Sequence, residues 1–302
     1  MERAFRRHVD PVIGHLRLSQ VRSSHLQAWV KDRSRVLAPS TLRVVYSYVA
    51  SMLSRAAIDR LIGVSPCVDV RLPEVAHRSQ VIPTPDQIHA LAAALPTRYR
   101  AVPLLAAATG LRGGELFGLE LGAVDFLRRE LQVHQQLTVV SGRSPYLAPP
   151  KTKTSRRTVE LPEIAGVALA QHLERFPATP VEVDDDTDPR RQTRRAAWLV
   201  LTNEWGAPVH RASWSHVWIP AVAAAGLPRG FGLHGLRHFF ATSLIHAGSS
   251  VKTVQVALNH SSPTVTLNTY VKQWPEAVDR TRAIMDDALS LRQMCAESET
   301  GR

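Results

Sequence analysis

Apolar residues recur at three-and-four spacing along most of the chain, the period of a helix that buries one stripe. Phe5 to Ile13 gives a first basic amphipathic piece, and Ser24 can cap a second helix running through Leu26, Trp29 and Val30. Pro39-Ser40 then opens a longer helix in which Val44, Val45, Tyr48, Met52 and Leu53 line one face up to about Ile62. Thr84-Pro85-Asp86-Gln87 is another helix start, with Thr84 as cap, Pro85 in the first turn and Gln87 in the capping-box position. Helices follow through Leu95 and from Tyr99 to about Ala108, where Thr109-Gly110 breaks the pattern. The period then shortens to two. Leu131, Val133 and Gln135 alternate as a strand, and Tyr146-Leu147 and Thr158-Val159-Glu160-Leu161 read as further strands of one small antiparallel sheet. Helical spacing returns from about Pro162 to Phe176, from Ser213 to Ala225, and after Pro275 through Val278, Ile284 and Leu289. The fold predicted is mainly α with a small antiparallel β-sheet, an α+β architecture.

Two prolines and little apolar character between Leu72 and Pro83 mark a linker. Residues 1–75 then form a small helical domain, 76–83 the connection, 84–292 a larger domain and 293–302 a flexible tail. Within the larger domain, an acidic block runs into a basic one in VEVDDDTDPRRQTRRAA, which has too few apolar residues for a core. Residues 178–197 are therefore expected as an exposed insertion. No internal repeat appears.

Charge narrows the partner. The 302 residues carry 37 Lys plus Arg against 26 Asp plus Glu, a net of +11, and a surface that basic is expected to meet a polyanion, nucleic acid first. Twelve basic and five acidic side chains lie between Met1 and Pro73, which suits a helical clamp on phosphates. Cys67 and Cys295 make no metal spacing and no disulfide framework, which suits a reducing cytoplasm. The opening MERAFRRHVD has no apolar h-region, and runs such as Ala101 to Ala108 are too short for a bilayer. A cytoplasmic protein without a membrane anchor is expected.

The chemistry concentrates in GLHGLRHFFATSLIHAGSSVKTVQVALNHSSPTVTLNTYV. Leu236, Phe239, Phe240, Leu244 and Ile245 make a buried helical stripe, and His234 and Arg237, three apart, share one face. Gly248 is a stop, Ser250 can cap a second helix, and Ser262-Pro263 starts a third that carries Tyr270 near its end. Arg is a fixed cation with a planar fork suited to phosphate, His moves protons near neutral pH, and Tyr is an oxygen nucleophile. Together they point to attack on a phosphate. Upstream, Arg112 stands at a helix start in TGLRGGEL with Glu115 within reach to orient it, and PPKTKTSRR is a basic turn bearing Lys151 and Lys153. His238 is four residues after His234, a metal-ligand spacing, but without a third ligand nearby it reads as a hydrogen-bonded core residue of its helix. Trp198, Trp205, Trp214 and Trp218 are scattered and read as core.

Taken in order, Arg112, Lys151 in PKTKTSRR, His234-x-x-Arg237 in HGLRH, His260 in LNH and Tyr270 ten residues later form a set. The set resembles that of the tyrosine recombinases, in particular the phage-type integrase branch, and the resemblance covers residues 1 to about 290. It implies a core-type DNA-binding helical domain followed by a catalytic domain. It further implies that Arg112 and Arg237 hold the non-bridging oxygens of a scissile phosphate while Tyr270 attacks the phosphorus. Lys151 would protonate the departing 5′-oxygen, with Lys153 in reserve; His234 would assist proton transfer, His260 would hydrogen-bond the phosphate, and Glu115 would brace the site.

Two guanidinium forks would neutralise the charge that a metal otherwise stabilises, and a phosphotyrosine keeps the energy of the broken phosphodiester. Neither metal nor nucleotide cofactor is therefore expected. A phenol of pKa about 10 would need the cationic site to favour its phenolate. The activity implied is site-specific cutting and rejoining of double-stranded DNA by a homotetramer on paired sites, as in a mobile element, with accessory DNA-bending proteins as further partners. The alternatives are a catalytically silent DNA-binding regulator and a type IB topoisomerase-like enzyme. Two departures stand out. The chain is expected to begin at the core-binding domain, without the arm-binding domain many integrases carry, and Asn259 stands where the usual Gly precedes His260, a change tolerable if the backbone there is not left-handed.

Overall fold

The computed structural model describes residues 2–75, 81–150, 155–188, 190–259 and 262–270. Its contacts divide the chain into two compact units, Met1–Ser79 and Gln80–Arg302.

The described part of the amino-terminal unit carries α1 (Glu2–His8), α2 (Asp10–Ile13), α3 (Ser23–Arg33) and α4 (Pro39–Ile58). Ser24, expected as a cap, lies inside the first turn of α3. Leu26, Trp29 and Val30 of α3 pack with Leu42, Val45, Val49 and Leu53 of α4 in one core. Val44 and Met52 are exposed instead of lining that face, because each precedes a buried residue and so sits about 100° round the helix from it. The Trp29 indole Nε1 donates to the His8 carbonyl at 2.6 Å and ties α1 to this core. After α4 the chain returns as a strap that pairs with no strand among the described residues, and side chains satisfy its backbone. Ser23 Oγ donates to the Pro66 carbonyl (2.6 Å), Gln27 exchanges two bonds with the Arg71 backbone (2.8 and 3.2 Å), and Arg43 Nε donates to the Pro73 carbonyl (3.0 Å).

The larger unit begins with α5 (Pro85–Ala94), whose capping box forms as expected: Gln87 N donates to Thr84 Oγ1 at 3.2 Å and Thr84 N to Gln87 Oε1 at 3.0 Å. Next come α6 (Ala101–Thr109), α7 (Gly113–Phe117), β1 (Val124–Asp125), β2 (Glu130–Val133), β3 (Gln136–Thr138), β4 (Tyr146–Ala148) and β5 (Arg157–Glu160). They are followed by α8 (Glu163–Arg175), β6 (Val181–Asp185), β7 (Thr193–Ala197), α9 (Arg211–Ala224), α10 (Leu233–His246), α11 (Val251–Leu258) and α12 (Pro263–Tyr270). Apolar around most of its circumference, α6 is buried among α5, α8 and α10. The architecture is mainly α with small sheets, as the periodicity predicts.

The strands form two sheets, not one: antiparallel β1-β2-β5, and β3-β4-β6-β7 with β4 and β6 parallel. Leu131 pairs with Val159 in the first, whereas Leu147 pairs with Leu137 in the second. The split falls at Gln135, whose buried amide donates to the Gly118 carbonyl and to the Glu120 carboxylate, both at 2.8 Å. Gly118 lets β3 lie against the end of α7, since a Cβ there would stand 2.5 Å from the Leu137 nitrogen.

The stretch expected as an exposed insertion is a strand pair, β6 with β7. Val183 and Ala197 enter the core, and ion pairs replace apolar area: Arg195 bonds Asp185 at 2.5 Å and Glu120 at 2.6 Å, and Arg143 bonds Asp186 at 2.6 Å. Of the tryptophans read as core, Trp214 and Trp218 pack there while Trp198 and Trp205 are exposed. Among the described residues no helix is long and apolar enough to cross a membrane.

Candidate active site

The first part of the site is the turn between α6 and α7. Gly110 ends α6 in the left-handed region, φ +63°, and a Cβ there would meet the Phe240 ring at 2.4 Å. The turn sets Arg112 immediately before α7, where Glu115 accepts from the Arg112 backbone nitrogen at 3.0 Å and from its guanidinium at 2.9 Å. Glu115 is buried, and a second guanidinium, Arg157 at the start of β5, grips it with two bonds of 3.2 and 3.0 Å. Burial acting alone would raise the Glu115 carboxyl; Arg157 and then Arg112 outweigh it and hold the group below the usual carboxylate range. The carboxylate is thus a fixed anion between two cations, and Arg112 keeps 29% of its side chain exposed.

The second part is the end of α11. Asn259 adopts φ +49°, ψ +57°, so the backbone is left-handed where a right-handed or extended one was expected. Asn is the side-chain-bearing residue that best tolerates that region, which explains how it replaces Gly. The reversal frees two consecutive carbonyls at the helix end, its negative pole. Arg237 donates to the Leu258 carbonyl, and Arg112 donates to the Asn259 carbonyl at 3.2 Å. Arg237 also donates to the Gly110 carbonyl at 2.5 Å. With 2% exposure, Arg237 is pulled down to about 10, by desolvation first and by the Arg112 charge next, and it stays protonated at neutral pH.

Tyr270 ends α12 with 1% exposure. Its hydroxyl lies 2.5 Å from Nδ1 of His238. His238 is the hydrogen-bonded core residue the spacing predicts, one position beyond Arg237 on α10. His234 is exposed one turn earlier, its ring edge-on to that of His238 at 4.4 Å between centroids. Burial pushes the Tyr270 phenol up to about 12, with the Arg237 charge pulling the other way. The expected favouring of phenolate therefore does not hold in the free protein, because desolvation exceeds the attraction of the cation.

The structure thus brings Arg112, Glu115 and Arg237 together at the end of α11, and sets both Tyr270 and His234 against His238. Lys151, Lys153, His260 and the helix expected after Pro275 lie outside the described residues. Arg157 is the member that sequence reasoning missed. The signal was present in the alternation, since Arg157 has the parity of Val159 and Leu161. Three guanidinium groups against one buried carboxylate leave excess positive charge, the electrostatics of an anion site. Among the described residues no group of three or more His, Cys, Asp or Glu is arranged to hold a metal ion.

Comparison with known proteins agrees in outline. Residues 83–276 match the model of the phage integrase family. A tyrosine recombinase XerC-like protein of Caldanaerobacter subterraneus subsp. tengcongensis is 28% identical over 283 residues, covering 86% of this chain and 70% of the relative. The integrase of Mycobacterium phage D29 is 23% identical over 261 residues, covering 85% of this chain and 65% of the relative. The chain therefore spans about two thirds of the length of these relatives. Among solved structures, the Tn1549 transposon integrase in complex with transposon right end DNA superimposes with a TM-score of 0.78 at 22% identity, over 93% of this chain and 92% of that one. A lambda integrase dimer bound to a COC' core site gives 0.63 at 16% identity, over 89% and 84%. At such identities the likeness is one of fold. The family model covers well over half of the sequence, and the chain belongs to the phage integrase family of tyrosine recombinases.

Proposed function

We propose that this recombinase cuts and rejoins double-stranded DNA at specific sites through a 3′-phosphotyrosine formed on Tyr270. Arg112 and Arg237 bind the non-bridging oxygens of the scissile phosphate, and Glu115 fixes Arg112. Lys151, with Lys153 in reserve, protonates the departing 5′-oxygen; His234 assists proton transfer and His260 hydrogen-bonds the phosphate. The reaction needs neither metal nor nucleotide, because the guanidinium groups supply the positive charge and the phosphotyrosine stores the bond energy. Four copies of the chain act on two DNA sites, with accessory DNA-bending proteins directing the outcome.

One observation carries this reading: two arginines from distant segments are seated on the consecutive carbonyls of Leu258 and Asn259, beside the helix whose neighbouring residue contacts Tyr270. The test uses a duplex that the protein selects from a random pool, nicked so that religation is blocked, with chelator present. Wild-type protein is expected to form a covalent protein–DNA adduct, and Tyr270→Phe to bind the duplex without forming one. Absence of the wild-type adduct, or an adduct with Tyr270→Phe, overturns the reading.

A further inference from the structure

Tyr270 has to lose a proton when it attacks, and the free protein makes that hard. The phenol is almost wholly removed from water, and its ordinary acidity is weakened by burial. Solvent cannot serve as the acceptor, so a base must already be in contact with the hydroxyl. His234, expected to assist proton transfer, is exposed and has the His238 ring for a neighbour. Among the described residues, the heteroatom within hydrogen-bond distance of the Tyr270 oxygen is Nδ1 of His238, at 2.5 Å. That imidazole is itself buried, held in α10 next to Arg237, and its ring centre is 5.5 Å from that of the tyrosine. Imidazole is the side-chain group that most often moves protons in catalysis, and this one already touches the hydroxyl.

We propose that His238 is the proton acceptor for the nucleophile, a catalytic residue outside the set that the sequence motifs mark. The inference rests on Tyr270 being the attacking group. In the forward step a lone pair of the phenolic oxygen forms the new O–P bond while the O–H bond breaks and its proton passes to Nδ1 of neutral His238. The bond from phosphorus to the 5′-oxygen breaks, and that oxygen leaves with a proton from the general acid. In the return step a 5′-hydroxyl attacks the phosphotyrosine and gives its proton back to the deprotonated general acid, while the O–P bond to tyrosine breaks and the departing phenolate recovers its proton from the His238 imidazolium. Arg237 beside it opposes a second cation, but the phosphate that both arginines hold brings the compensating charge only when substrate is bound. Proton transfer is thereby tied to the presence of DNA.

The mechanism requires Tyr270 to donate and Nδ1 to accept, so the free imidazole must carry its proton on Nε2. Nitrogen NMR of the wild-type protein labelled in histidine, with Tyr270→Phe to assign the signal, reads this directly. A bare Nδ1 is expected, and a protonated Nδ1 overturns the proposal whatever any variant does. The kinetic test is His238→Asn, whose side-chain amide reaches the Nδ1 position and can accept a hydrogen bond but cannot keep the proton. On the nicked duplex it is expected to bind like wild type while adduct formation slows by about 100-fold or more. A rate within threefold of wild type overturns the proposal and leaves the phosphotyrosine reading standing. His238→Ala supplies a second readout, since added imidazole should restore its rate where a merely structural histidine would show no rescue. Failure of the wild-type protein to form any adduct would instead remove the reading on which this one rests.

Discussion

Two glutamates flank the end of α7, Glu115 buried and Glu120 partly buried, and both pair with arginine, yet the clusters they build have opposite charge balance. Glu115 is shared by Arg112 and Arg157, with Arg237 close enough to feel both charges. Glu120 has one guanidinium, Arg195, which it shares with Asp185 at 2.6 and 2.5 Å. The first cluster holds three cations and one anion, and the second holds one cation between two anions. The chemistry is the same and the geometry similar, but only the first has charge left for an added phosphate. The Glu120 cluster is a fastening that keeps the β6–β7 pair on the unit, whereas the Glu115 cluster is the proposed seat of the phosphate.

The largest expected effect contrasts the arginines. Arg237→Ala should lower adduct formation by about 1,000-fold, the scale for losing one preorganised charge-stabilising donor, whereas Arg195→Ala should leave the rate per folded molecule unchanged. Burst amplitude and rate on the nicked duplex measure both, and equal losses would erase the distinction. Next comes stability. Glu115→Ala strands neighbouring cations in a buried place and should cost about 3–5 kcal/mol in urea unfolding. Glu120→Ala leaves Arg195 paired with Asp185 and should cost about 1–3 kcal/mol. A reversed order would mean that the two clusters have been assigned the wrong way round.

A smaller effect sharpens the contrast through ligand binding. Inorganic phosphate at ten times its dissociation constant should stabilise the wild-type fold by about 1.4 kcal/mol. A thermal shift should show that gain lost in Arg112→Ala and kept in Arg195→Ala. Smallest is the acid response. Both carboxyls sit below their ordinary 4.5 in the folded protein, so their stabilisation is complete above that value and is lost as pH falls through the folded pKa. Melting temperatures on acidification should therefore fall less steeply in Glu120→Gln than in wild type.

Much of this was legible in the chain because it depends on local rules. The capping box of α5, the helical stripe of α10 and the spacing of Arg112 and Glu115 all follow from nearest-neighbour geometry. What escaped was set by contacts between segments far apart in sequence. The buried role of Arg157 depends on which face of β5 turns inward, and the partner of His238 lies 32 residues away across a helix reversal. The pairing of β6 with β7 escaped because the two strands bury few apolar groups and are held by ion pairs, which composition registers as solvent-exposed charge. Asn259 misled in the opposite sense, since a residue that bears a side chain still takes the turn that glycine usually makes.

That turn has a consequence for how far such a protein can diverge. The oxygens under both guanidinium groups belong to Gly110, Leu258 and Asn259 as peptide units, and no substitution can delete a peptide oxygen. Handedness at positions 110 and 259 thus decides where those oxygens point, while Glu115, gripped by Arg157, holds Arg112 over them.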